Sequence, residues 1–305
     1  MGKIAFVFSG QGAQYPGMGQ ELAAVSPAAK AIFDLADAVR PGTSDQCFSG
    51  TKEELVITSN TQPDMFAVEV AAAAALLEAG IVPDCLAGFS VGEISALGFS
   101  GAVSVEDAFR LVCRRGELMQ EASNAVSTGM TAVVKLSPAQ VEALAAQFDQ
   151  VYPVNYNSAA QTVCAGLSES MPAFRAAVKE AGGRAIPLKV AGAFHSPFMH
   201  SASVGLVDVL EPMEFGTPRY PLYSNVTAQP YEEGRYKELL SQQVENPVRW
   251  QSIVENMVAD GVDTFIEVGP GNTLTGLIQR INPNVTALHV EDAETLKAAV
   301  AAVKG

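Results

Sequence analysis

Residues 85–97, CLAGFSVGEISAL, place Gly88-Phe89-Ser90-Val91-Gly92 between a short apolar run and a helix-forming segment. No other stretch limits the fold so tightly. A Gly-x-Ser-x-Gly turn after a strand and before a helix belongs to parallel α/β sheets, where the chain reverses sharply at the strand's carboxyl end. Gly88 and Gly92 leave room for a strained backbone and for close contact between helix and strand. Val91 then offers its N–H at a helix N-terminus, beside an oxygen that gains negative charge. Ser90 reads as a nucleophile in this setting. The plainer alternative is a capping serine in a Gly-rich turn.

The rest of the chain supports an α/β class. Lys3–Ser9 (KIAFVFS) reads as a buried strand followed by the turn Gly10-Gln11-Gly12. Gln62–Ala79 reads as a long Ala/Leu-rich helix that stops at Gly80. Cys85–Gly88 is a short strand, Glu93 opens the next helix, and Asp263–Val268 is another buried strand. The middle changes rhythm. Strands over Met130–Leu136, Val151–Tyr156, Thr162–Gly166 and Ala185–Val190 alternate with helices from Pro138 to about Phe148 and from Met171 to Ala181. The order βαββαβ is the ferredoxin-like unit. The sequence therefore predicts a small domain at 126–191, inserted into a large, mostly parallel α/β domain made of 1–125 and 192–305.

Composition removes several function classes. With 48% hydrophobic and 17% charged residues, the 305-residue chain can bury a large core. The longest apolar stretch, Val70 to Leu77, lies between Glu69 and Glu78 and is too short to cross a membrane. The apolar run at the N-terminus is too short for a signal peptide. A net charge of −14 argues against a nucleic-acid partner. That charge is uneven: residues 126–191 hold five cations against four anions. This near-neutral block is a candidate landing site for an acidic partner. Four scattered cysteines without a C-x-x-C fit reduced thiols in the cytoplasm. Three histidines without H-x-x-x-H leave no metal motif, so no metal is expected.

A serine nucleophile needs a base. His195 lies in AGAFHSPFMH and follows Ser90 in the chain, as in α/β hydrolases. Its apolar neighbours leave a satisfied core histidine as the alternative. His200 reads as helix surface and His289 as a solvated or paired group beside Glu291 and Asp292.

The segment 104–122, SVEDAFRLVCRRGELMQEA, reads as a helix capped by Ser104. Asp107, Arg110, Arg114, Glu117 and Glu121 fall on one charged row, so Arg114 faces solvent. Arg115 falls instead with Ala108, Leu111, Val112, Leu118 and Met119. A guanidinium on an apolar face must find a partner, either a carboxylate of the protein or an anion of the substrate. Gly10-x-Gly12 is too weak a pattern for a phosphate loop. A better role is a second oxyanion-directed N–H, from Gln11.

Taken together, FVFSGQGAQYPGMG (6–19), TQPDMF (61–66), GFSVGEISAL (88–97), CRRGELMQEA (113–122), NYNSAAQ (155–161), AGAFHSPFM (191–199), NPVRW (246–250) and EVGPGNTLTGLI (267–278) resemble the malonyl-CoA:acyl-carrier-protein transacylase family over nearly the whole chain. The resemblance implies a hydrolase-like large domain with a ferredoxin-like insert and a site between them. It implies that Ser90 becomes malonylated, that His195 is its base, and that the main-chain carbonyl of Gln243 orients His195. It also implies that Gln11 and Val91 supply the oxyanion N–H groups, that Arg115 grips the malonate carboxylate, and that Phe194 disfavours branched acyl chains. The partners implied are malonyl-CoA and acyl carrier protein, with no metal or redox cofactor. One residue departs from the pattern: the family usually has histidine before the nucleophile, and this chain has Phe89, a wall beside the acyl pocket. The rival readings are an acyltransferase for another extender unit or for a polyketide synthase, a serine esterase, and a degenerate module that only holds carrier protein.

Overall fold

In the computed structural model, which describes residues 2–305, the strands are β1 (Lys3–Phe8), β2 (Cys85–Gly88), β3 (Thr128–Val134), β4 (Val151–Ser158), β5 (Gln161–Leu167), β6 (Arg184–Leu188), β7 (Leu222–Tyr223), β8 (Val262–Val268) and β9 (Thr286–Val290). They form two sheets. One runs β7-β2-β1-β8-β9 and is parallel at every pairing. The other runs β4-β5-β3-β6 and is antiparallel at every pairing. The chain is thus α/β, with the βαββαβ unit giving the second sheet.

Strand β1 shows why the parallel sheet is buried. Its residues alternate faces with period two. Phe6 and Phe8 enter one apolar cluster with the helices Thr58–Glu78, Val91–Ser100 and Val105–Ala125. Ala5 and Val7 enter a second cluster, with the helices Trp250–Ala259 and Thr273–Ile281. The second sheet divides its faces in the same way. Val133 and Cys164 join Val141, Phe174 and Val178 of its own two helices. Met130, Ala132, Val163 and Ala165 face the core of the large body. Edge strand β4 is also stitched to the segment before Trp250: Tyr156 N–H donates to Val248 C=O at 2.9 Å, and Val248 N–H donates to Val154 C=O at 2.9 Å. The second sheet is therefore tied to the large body through its β4 edge.

Two boundaries differ from the sequence reading for a physical reason. The long helix starts at Thr58, not Gln62, and carries Pro63 in its interior. Its N-cap, Ile57, has no capping side chain. Gln120, 62 residues away, accepts the Thr58 N–H at 2.9 Å instead. A cap supplied by tertiary contact leaves no local signal. The helix after Ser90 begins at Val91 rather than Glu93, because Ser90 itself is the N-cap residue. The second-sheet strands and helices end within a few residues of expectation.

Candidate active site

Two turns bring the site to the carboxyl end of the parallel sheet, where crevices form in such folds. Phe8 of β1 lies opposite Gly88 of β2. The turns that follow, Gly10-Gln11-Gly12 and Phe89-Ser90, therefore leave the sheet side by side. Ser90 takes φ 56° and ψ −106°, a strained position for a residue with a Cβ. The glycines beside it are forced by close approach. A Cβ on Gly88 would lie 2.0 Å from Gly92 C, and one on Gly92 would lie 2.3 Å from Phe8 O.

The strain is held by the fully buried Asn225. Its Oδ1 accepts Ser90 N–H at 2.8 Å, and its Nδ2 donates to Gly88 C=O at 2.6 Å. The Ser90 amide is thereby occupied. Val91, at the first helical position, has no carbonyl of its own helix to bond.

Ser90 Oγ lies 2.7 Å from His195 Nε2, and His195 Nδ1 lies 2.9 Å from the main-chain oxygen of Gln243. A carbonyl only accepts, so Nδ1 carries the proton and Nε2 receives the serine O–H. His195 is 3% exposed. Burial, and then the Arg115 charge, push its pKa down to about 4, against hydrogen bonds that the ring donates to the backbone of Gln243 and Asn246. The imidazole is neutral near pH 7, as a base must be.

Arg115 is 1% exposed. Its Nη1 donates to Gln62 Oε1 at 2.7 Å, and its Nη2 donates to Gln243 Oε1 at 2.6 Å and to Ser90 Oγ at 3.3 Å. All three acceptors are neutral oxygens, so no protein carboxylate pairs with it directly. Nε has no partner. Burial lowers its pKa to about 10, with Glu93 opposing, so it stays cationic at neutral pH. Arg114 behaves as the helix pattern predicts. It is exposed and pairs with Glu117 at 2.8 Å and Glu121 at 3.7 Å.

A cavity of about 90 Å³ opens onto Ser90 and His195, with Gln11, Phe89, Met119 and Phe194 in its walls. A neighbouring cavity of about 230 Å³ shares Gln11, Phe89, Asn155 and Leu188 with it. Phe89 lies in the shared wall, packed on Trp250 at 5.7 Å between ring centroids. Asn155 Oδ1 and Asn157 Oδ1 are buried without partners beside the larger cavity. His200 and His289 lie elsewhere, the first exposed and 2.8 Å from Glu245, the second 3.8 Å from Glu291. No group of three His, Cys, Asp or Glu among the described residues is placed to hold a metal ion.

Sequence reasoning missed Gln62, Asn225, Glu93 and the side chain of Gln243. Gln62 lies inside TQPDMF and Glu93 in the first turn of the helix after Ser90, yet neither has a spacing that announces a role. Their partners come from remote parts of the chain.

The family model for the acyl transferase domain matches residues 5–299. The malonyl CoA-acyl carrier protein transacylase of Bacillus subtilis (strain 168) is 39% identical over 314 residues, covering 100% of this chain and 98% of the relative. Among solved structures, the malonyl CoA-acyl carrier protein transacylase from Clostridium perfringens is similar with a TM-score of 0.95 at 36% identity, covering 99% of this chain and 97% of that one. A malonyl-transacylase solved in complex with its type II PKS acyl-carrier protein is similar with a TM-score of 0.94 at 36% identity, covering 98% and 99%.

Proposed function

Because this chain belongs to the acyl transferase domain family, we propose that its Ser90–His195 pair carries a malonyl group between two thiols. The enzyme transfers malonyl from malonyl-CoA to the phosphopantetheine thiol of acyl carrier protein, in fatty-acid or polyketide synthesis. Ser90 Oγ attacks the thioester carbonyl while His195 Nε2 takes its proton. The N–H groups of Gln11 and Val91 face the oxyanion. Collapse expels CoA as the thiol, protonated by His195, and leaves malonyl-Ser90. The carrier thiol then gives its proton to His195 and reverses the steps. General-base and oxyanion contributions of about 10²–10⁴ and 10²–10³-fold make the acylation feasible but are blind to the acyl group.

Selection falls to Arg115. The observation that carries the reading is a buried guanidinium, free of any ion pair, 3.3 Å from the hydroxyl that His195 already holds. A carboxylate entering this site meets a planar fork in a dry pocket. The bulk of Phe194 in the same wall disfavours a branched acyl chain, and Phe89 supplies a second apolar wall. The route needs neither metal nor redox cofactor. Residues 126–191 act as an inserted small domain over the 1–125 and 192–305 body. The four free cysteines suit a cytoplasmic setting.

Intact-mass spectrometry after brief mixing with malonyl-, methylmalonyl- and acetyl-CoA tests the reading. A rapid adduct on Ser90 from malonyl-CoA alone supports it. No adduct from any donor points to a module that only holds carrier protein, and an adduct lost quickly to water points to an esterase.

A further inference from the structure

Glu93 is 0% exposed and stands among the catalytic groups, yet no step above uses it. Every contact it makes comes from a donor. Asn225 N–H at 3.1 Å and Tyr231 O–H at 2.6 Å reach Oε1, and Gln243 Nε2–H at 2.6 Å reaches Oε2. Burial raises its pKa to about 7, while the bonds from Tyr231, Gln243 and Asn225, and then the Arg115 charge, pull it down.

The second hydrogen of Gln243 Nε2 goes to Ser90 C=O at 2.8 Å. Two acceptors therefore fix the nitrogen end of this amide, and only its oxygen is left for Arg115 Nη2. Turned over, the amide would set oxygen against a carboxylate and a carbonyl, and NH₂ against a guanidinium. All three contacts would become repulsive. The same residue's main-chain oxygen holds His195. One glutamine thus ties nucleophile, base and guanidinium together, through two chemically separate groups.

We propose that the side-chain amide of Gln243, oriented by Glu93, is a positioning element for acyl-group selection: it holds the Arg115 guanidinium turned toward Ser90, so discrimination for a free carboxylate depends on two residues that the carboxylate does not touch. This rests on the reading of Arg115 as the carboxylate's partner. The amide acts on Arg115, whereas the backbone carbonyl acts on His195. Loss of the side chain therefore strikes malonyl recognition harder than acyl chemistry.

The test compares Ser90 loading from malonyl-CoA and acetyl-CoA in wild type, Gln243→Met and Glu93→Gln, with melting curves to show that each is folded. Gln243→Met keeps the main-chain carbonyl and removes the amide. Glu93→Gln keeps the shape, removes the charge and leaves one acceptor oxygen for three donors. In each variant malonyl loading should fall at least tenfold more than acetyl loading, chiefly through a raised KM for malonyl-CoA. Equal falls for both donors in a folded variant would overturn the proposal and assign these side chains a purely structural role. If Gln243→Met does not fold, Glu93→Gln decides alone by the same ratio. Failure of the underlying reading would look different: wild-type protein would load malonyl no better than acetyl.

Discussion

Replacing Arg115 by alanine removes the group on which acyl selection turns, and the structure sets the size of the effect. The guanidinium is buried and already makes two short hydrogen bonds, at 2.7 and 2.6 Å, to amide oxygens. A malonate carboxylate in the same pocket would take a bidentate pair of charge-assisted bonds, each worth about 1.5–3 kcal/mol. Losing both costs about 3–6 kcal/mol, or roughly 10²–10⁴-fold in kcat/KM for malonyl-CoA. Acetyl-CoA has no carboxylate, so its loading should fall far less, and the malonyl-to-acetyl ratio should collapse. Arg115→Lys should recover little, because a point charge cannot span Gln62 and Gln243 as the fork does. The assay is single-turnover loading of Ser90 followed by intact mass, with both donors and a melting curve for each variant. Equal losses for the two donors in a folded variant would refute the argument.

The sequence made some of this site legible and concealed the rest. The serine turn was readable because the glycines, the strand before and the helix after all lie within a few residues. Arg115 was readable because helical periodicity alone sets it among Leu111, Leu118 and Met119, and all four are buried. His195 could be ranked by chain order but not separated from a core histidine, since the bond that defines it comes from Gln243, 48 residues on. Asn225 and Glu93 could not be found in this way. Asn225 steadies a serine 135 residues away, and Glu93 resembles any acid in a helix's first turn. The early start of the helix at Thr58 was hidden for the same reason, since its cap is the distant Gln120.

Three further outcomes are expected. The acid limb of Ser90 loading from acetyl-CoA, a donor with no carboxylate for the Glu93–Gln243–Arg115 chain to select, should lie near pH 4 rather than at histidine's usual 6.5: burial and Arg115 disfavour the imidazolium, so His195 stays a free base until pH falls through about 4. A limb at 6.5 in a pH-jump loading assay would count against that geometry. Asn225→Ala should leave Ser90 N–H and Gly88 C=O unpaired in a buried turn, costing about 1–3 kcal/mol for each group in urea unfolding and slowing loading from both donors alike. Reversing the exposed charges of Lys179, Arg184 and Lys189 should raise the KM for an acidic carrier protein several-fold while leaving malonyl-Ser90 formation from malonyl-CoA unchanged; an unaltered KM would move the docking face elsewhere.

The most direct measurement is a crystal structure of the malonyl-Ser90 enzyme, trapped in the absence of an acceptor thiol. The account predicts the free carboxylate bidentate on Arg115, at about 2.7–2.9 Å from two guanidinium nitrogens, with His195 Nδ1 still on the Gln243 carbonyl. A carboxylate pointing to solvent, with Arg115 still bonded only to Gln62 and Gln243, would contradict it.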